Sequence, residues 1–233
     1  MGISALENEM HEKHTKPTLL SDFILGAQDG LVNVLGIILG VSAATSDTRI
    51  LFIAAFAALA AEAISMGAVA YTSTLARRRH YMKEADRERY EMRAMPHIER
   101  EEVRQIFEKW GYTGKKLKRL TDEIVSNPRA WLEMMMSFEL GLAPIDKSAP
   151  MQSAVVVLLS TTAGSLVPLL PFVFIKPGGY GDLASVIVSG IALFIIGWYE
   201  AKSTVGSVWK TGLEMVAIGL TAGFAGFLIG HIL

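Results

Sequence analysis

The chain has 233 residues, a formal charge of −1, 51% hydrophobic residues and a mean hydropathy of +0.36, a composition that argues against an ordinary soluble fold. It contains no cysteine, which excludes disulfides, iron–sulfur clusters and thiolate metal sites. No basic tract with interleaved aromatics is present, so nucleic acid is not an expected partner.

The apolar residues fall in five runs, at 20–44, 51–76, 151–175, 183–198 and 211–233, each close to or beyond the roughly 17–25 residues that carry a helix across a bilayer. Backbone polar groups in lipid must be satisfied within the segment, and none of the runs alternates like a strand, so helices are expected. The first run contains Asp22 and Asp29 and is too long for a cleaved signal segment. The expected fold is all-α: a polytopic membrane protein with five transmembrane helices and a hydrophilic helical domain at 77–148, between the second and third spans. A flexible N-terminus at 1–19 precedes helices 1 and 2 (20–76), and helices 3 to 5 occupy 149–233. Of 22 basic residues, Lys13, Lys16, sixteen in the 77–148 segment, Lys202 and Lys210 lie on one side, leaving Arg49 and Lys176 on the other. That bias puts the N-terminus and the hydrophilic domain in the cytoplasm.

Glu7, Glu9, His11, Glu12 and His14 near the start could bind metal weakly, but a frayed terminus is the better reading. In the first span, Asp22, Gly26, Asp29, Asn33, Gly36 and Gly40 recur at spacings of three and four, which lines them along one helical face opposite Leu, Ile, Val and Phe. Small residues explain close helix packing. They do not explain Asp29, because an ionisable group inside a span costs several kcal/mol unless it has a partner or a wet cavity. Asp22, nearer the interface, reads equally well as structural. In the second span Glu62 and Met66 are one turn apart on one face. Methionine in an apolar helix is usually packing. Beside carboxylates, however, a thioether suits a transition ion such as Fe²⁺ better than Mg²⁺ or Ca²⁺.

The basic run Arg77-Arg78-Arg79-His80 marks the headgroup boundary. The helix is expected to continue to about Met95; Pro96 opens another that Gly111 closes, a short one follows near 115–125, and Asn127-Pro128 caps a last one that stops at Gly141. Glu88 with Glu91 and Glu99 with Glu102 each present two carboxylates on one face, and Glu139 lies one turn beyond Met135. Like charges at that spacing are mildly destabilising, which a shared cation would reverse. A salt-bridged, solvated surface is the competing reading for a segment with 13 acidic and 16 basic residues. Glu84, Glu101, Glu108 and Glu123 read as surface charges. Met134, Met135 and Met136 with Trp131 and Phe138 could be an ordinary packing face. In the later spans, Pro168 and Pro171 are expected to kink or end the third. Trp198 and Tyr199 mark an interface in the fourth, and Gly219, Gly223, Gly226 and Gly230 give the fifth a close-packing face towards a helix of the same or a neighbouring subunit.

Four stretches together make the sequence resemble the vacuolar iron transporter family, including its yeast calcium-cross-complementing branch. They are Gln28-Asp29-Gly30-Leu31, Ala63-Ile64-Ser65-Met66-Gly67, Asn127-Pro128-Arg129-Ala130-Trp131-Leu132 through Phe138-Glu139-Leu140-Gly141-Leu142, and Pro168-Leu169-Leu170-Pro171. The resemblance runs from about Ser21 to near the end. It implies a homodimer of five-span subunits, with an ion pathway lined by the first and second spans of both chains and a cytoplasmic three-helix metal-binding domain at 77–148, in which Fe²⁺, and often Mn²⁺, leaves the cytosol in exchange for protons. The pathway residues are then Asp29 and Met66, with Glu62, Asp22 and Asn33 beside them. The cytoplasmic metal ligands are Glu88, Glu91, Glu99, Glu102 and Glu139, with Met135 and Met136. Glu62 stands where similar sequences often have a small residue, and Ala58, one turn earlier, where plant members carry a carboxylate.

The sequence is thus expected to be a secondary metal-ion transporter rather than an enzyme. Its partners are the lipid bilayer, a second copy, protons and divalent metal, with no permanently bound cofactor. Zn²⁺ or Co²⁺ could occupy the cytoplasmic site without being carried. The membrane is the plasma membrane in a prokaryote and the vacuolar membrane in a eukaryote. The alternative is a membrane-anchored ferritin-like iron-binding or oxidising protein, but such a site uses Glu-x-x-His motifs, and the sequence has none.

Overall fold

The computed structural model describes residues 17–232. The acidic and histidine-containing stretch before Pro17, and with it most of the expected flexible N-terminus, lies outside the described residues. Eight α-helices follow: α1 Pro17–Ala44, α2 Thr48–Ala94, α3 Pro96–Lys109, α4 Gly114–Val125, α5 Pro128–Met134, α6 Ala149–Leu166, α7 Tyr180–Ser203 and α8 Val208–Ile232. A π-helical turn, Met135–Glu139, extends α5, and a 3₁₀ segment, Val167–Val173, extends α6. No strand occurs among the described residues. Five helical segments are long and apolar enough to cross a membrane, and the chain is a multi-pass membrane protein. Two compact units divide it: one made of the described residues up to Tyr71 together with those from Pro150 onward, the other Thr72–Ala149.

In the first unit the usual polarity of a helix bundle is inverted. Along α7, Leu183, Ile187, Ile191 and Ile195 are each more than half exposed, while Ser185, Ser189, Gly197 and Ala201 are buried. Lipid tails solvate isoleucine as well as a protein core does, so helices associate through small residues that let backbones meet. The α1–α8 contact is the clearest case. A Cβ on Gly226 or Gly230 would run into the backbone carbonyl of Gly36 or Gly40, and one on Gly40 would lie 2.9 Å from the Gly226 carbonyl oxygen. The glycine face of the last span therefore packs within the chain, on α1.

The polar and small stripe of α1 is shared between partners. Gly26 meets Val157 and Ser160 of α6, whereas Gly36 and Gly40 meet α8. Three- and four-residue spacing spreads these positions over an arc about 80° wide, enough to touch two neighbours. Leu31, Val34, Leu35 and Ile38 fill the rest of the interior. Val34 and Ile38 pack with Leu51 and Ala55 of α2 and with Leu169 and Phe172.

Prolines interrupt α6 as expected, since each lacks an N–H and crowds the preceding turn. The freed Pro168 carbonyl accepts a hydrogen bond from Ser185 Oγ at 2.8 Å, the kind of side-chain repair that lets a broken helix persist in lipid.

The second unit is built like a soluble domain. Val103, Ile106 and Phe107 of α3, Leu117 of α4, and Trp131, Met134 and Met135 form its apolar core. Asn127 Oδ1 caps α5 by accepting from the N–H groups of Arg129 at 3.1 Å and Ala130 at 3.3 Å, and Pro128 occupies the first turn, where no N–H is needed. Gly111 and Gly141, with φ of 86° and 64°, end their helices in the left-handed region.

Because a β-carbon at Gly226 has no room, Gly226→Ala is expected to force α8 off α1 and to cost about 1–3 kcal/mol, read as a lower Tm or loss of monodispersity in detergent. Ala225→Gly on the exposed side of the same helix is the control.

Candidate functional site

Two carboxylate groupings stand out, one in each unit. In the first, Asn33 of α1 donates through Nδ2 to Asp29 Oδ1 at 3.3 Å and also to Glu62 Oε1 of α2. The Asp29 carboxyl interacts directly with that of Glu62, whose Oε2 is buried with no hydrogen-bond partner among the described residues. Asp29, Glu62 and Met66 are half-buried and Asn33 is exposed. Met66 follows Glu62 by one turn on α2, and Asp22, half-buried, precedes Asp29 by two turns. Helical spacing puts Asn33 on the Asp29 face, but only packing brings Glu62 to it. Glu62 thus supplies a carboxylate from α2, one turn beyond Ala58.

Behind this group, α1 abuts a run of hydroxyls on α6. Ser160, Thr161 and Ser165 are buried against Gly26 and Gly30, and Thr161 Oγ1 and Ser165 Oγ have no partner among the described residues. Sequence reasoning overlooked them. The available signal was Ser160-Thr161-Thr162-Ala163-Gly164-Ser165, the most polar stretch of a span without charge.

The second grouping joins the two glutamate pairs. Glu88 on α2 and Glu99 on α3 are each 4% exposed and share a side-chain hydrogen bond. Glu91, Glu102 and Glu139 lie within range of their charges. Glu88 Oε1 and Glu99 Oε2 have no partner in the described protein. Arg87 contacts the rim, its Nε lying 3.1 Å from Glu91 Oε1. Among the described residues, no three or more His, Asp or Glu side chains stand in a ready-made metal-binding arrangement. Met135 and Met136 are fully buried. Met135 belongs to the apolar core, and Met136 lies outside that cluster. The π-helical turn bearing both leads directly to Glu139. Glu101 and Glu108 pair with Arg104 at 2.7 Å and 3.2 Å, in keeping with surface charges.

Burial, and then the Glu88 hydrogen bond and charge, push the Glu99 carboxyl up to about 8. Burial, and then Glu102, Glu99 and Glu91, raise Glu139 to about 7 against the lowering effect of Arg87. Glu88 is raised as well, chiefly by burial and, through their charges, by Glu139, Glu91 and Glu102, against the lowering effect of its Glu99 hydrogen bond. The native cluster therefore holds protons that the unfolded chain, at the ordinary 4.5, gives up. Stability present below that value is lost as pH climbs through about 8. With chelator present, the Tm of the detergent-solubilised protein is expected to fall over this window and Glu99→Gln to flatten the fall. A Tm that rises with pH across it would have the wrong sign.

The chain is 33% identical over 222 residues to "Vacuolar iron transporter 1" of Arabidopsis thaliana, covering 95% of this chain and 89% of that one. It is 34% identical over 217 residues to "Vacuolar iron transporter 1" of Oryza sativa subsp. japonica, covering 93% and 86%. It is 31% identical over 224 residues to "Vacuolar iron transporter" of Plasmodium falciparum, covering 92% and 82%. The model of the VIT family matches residues 20–231, which takes in all five apolar segments and both carboxylate groupings: the chain belongs to the VIT family.

Proposed function

We propose that the protein is a secondary transporter that moves Fe²⁺, and Mn²⁺ with it, out of the cytosol in exchange for protons, through a pore lined by α1 and α2 of two copies. The contact of Asp29, Asn33 and Glu62 carries this reading. Two carboxylates inside membrane-spanning helices repel as anions and are satisfied by a shared cation or proton. A site that trades one for the other is an antiporter's site. Exchange of two protons for one divalent ion is electroneutral, whereas uncompensated export works against about 2.3 kcal/mol per charge per 100 mV. Met66 adds a soft ligand that favours a transition ion over Mg²⁺. The names of the relatives support iron as cargo.

Support for a second copy comes from what α1 and α2 leave uncovered. Asn33 is exposed, Asp29 and Glu62 are half-open, and Ile37 beside them is 37% exposed. Polar groups at that depth do not face lipid without cost, and the same surface of another subunit would enclose them. Glu88, Glu91, Glu99, Glu102 and Glu139, with Met136, gather the ion on the cytosolic side. Two orphaned carboxylate oxygens among them suit a divalent cation. Zn²⁺ and Co²⁺ would also occupy this cluster, since affinity follows the Irving–Williams order. The distribution of Lys and Arg supports a cytoplasmic N-terminus, with the vacuolar membrane as the site in a eukaryote and the plasma membrane in a prokaryote.

In liposomes with an acidic interior, Fe²⁺ and Mn²⁺ are expected to enter, and Asp29→Ala, Glu62→Ala or Met66→Ala should reduce entry to the level of empty vesicles. Undiminished flux in Asp29→Ala would remove that carboxylate from the path. Since the chain has no cysteine, Ile37→Cys is expected to give a disulfide-linked dimer under oxidation. Only monomer on the gel would argue against an α1-lined interface.

A further inference from the structure

Within the hydrophilic unit, α2 and α5 enclose a hollow of about 530 Å³, a size typical of small-molecule sites. Its rim is cationic and its floor apolar. Arg89 and Arg93 stand one turn apart on α2, with Met92 on the same face, and Arg129 comes from the first turn of α5; all four line the hollow. The three arginines are exposed. Below them Met92 and Leu132 are half-buried, and Trp131 belongs to the apolar core, against which Met92 packs.

Charge and shape together define what fits. No acidic side chain lines the hollow. Arg89 pairs with Asp86 at 2.6 Å, but Arg93 and Arg129 make no ion pair among the described residues. Guanidinium groups that converge on one cavity from two helices repel each other and are satisfied by a multiply charged anion. Each presents a planar fork of donors that matches phosphoryl oxygens, and a phosphoryl group brings more charge and one more acceptor than a carboxylate. A bare phosphate would leave the floor unused. Trp131, Met92 and Leu132 suit an apolar or aromatic body joined to the phosphate.

We propose that this hollow binds an organic phosphate, its phosphoryl groups held by Arg89, Arg93 and Arg129 and its body resting on Trp131 and Met92, whatever ion the spans carry. The full chain in detergent, stripped of metal on a chelating resin, is titrated by calorimetry with ADP, with a short-chain phosphatidylinositol phosphate, with pyrophosphate and with inorganic phosphate. One organic phosphate per chain should bind about tenfold more tightly than pyrophosphate, the ratio that 1.4 kcal/mol gives. Preference for ADP would identify a soluble source of the phosphate, and preference for the lipid a headgroup. Added salt should weaken binding. Arg93→Gln combined with Arg129→Gln should weaken it at least about tenfold, again the equivalent of 1.4 kcal/mol. Lys83→Gln, exposed on the same helix but outside the hollow, should bind like the unaltered protein. Pyrophosphate or inorganic phosphate binding as tightly as the organic phosphates would mean an adventitious ion only and overturn the proposal. So would undiminished binding in the double variant, an equal loss in Lys83→Gln, or no binding of any of the four.

Discussion

Backbone-to-backbone approach along α1 is the contact on which the membrane unit depends. Gly36 and Gly40 meet Gly226 and Gly230 of α8, and Gly164 of α6 meets the Ala27 carbonyl, at separations that leave no room for a β-carbon. In a bilayer no hydrophobic force draws helices together, so the attraction comes from dispersion between surfaces in contact and from polar groups that find one another. Small residues maximise the first. They also hold α1 closely enough for the second, because the orientation of Asp29 and Asn33 follows from how α1 is clamped between α6 and α8.

The two acidic groupings apply one physical rule in two solvents. Glu62 in the membrane unit and Glu88 with Glu99 in the hydrophilic unit each bury a carboxylate oxygen with no donor against it, beside another carboxylate. A buried unpaired acceptor costs about 1–3 kcal/mol, and more if charged. A bound cation or a proton on either carboxylate would relieve that cost in both places. In the hydrophilic unit, which has an ordinary apolar core of Val103, Phe107, Trp131 and Met135, burial is the leading cause of the raised Glu88, Glu99 and Glu139 carboxyls.

The elements were readable from local chemistry. Proline at 96 and 128, asparagine at 127 and glycine at 111 and 141 fix helix ends through constraints on φ and on backbone donors that operate within one turn. Apolar run length did the same for the spans. The pairing of Glu88 with Glu91 and of Glu99 with Glu102 on their own helices was equally local. Less was legible where a feature depends on a distant segment. The π-helical turn at Met135–Glu139 was not anticipated from the sequence, and the hydroxyls of α6 gain meaning only from the glycines they face.

The sequence by itself determined five apolar helices, a charged helical segment among them, and which residue types each face presents, because periodicity and backbone constraints act over a few residues. Tertiary structure decided which faces meet: Asn33 with Glu62, Glu88 with Glu99, and Gly226 with Gly36. The members of each pair are separated in sequence by between 11 and 190 positions, and their contact depends on the packing of whole helices, which no local pattern encodes.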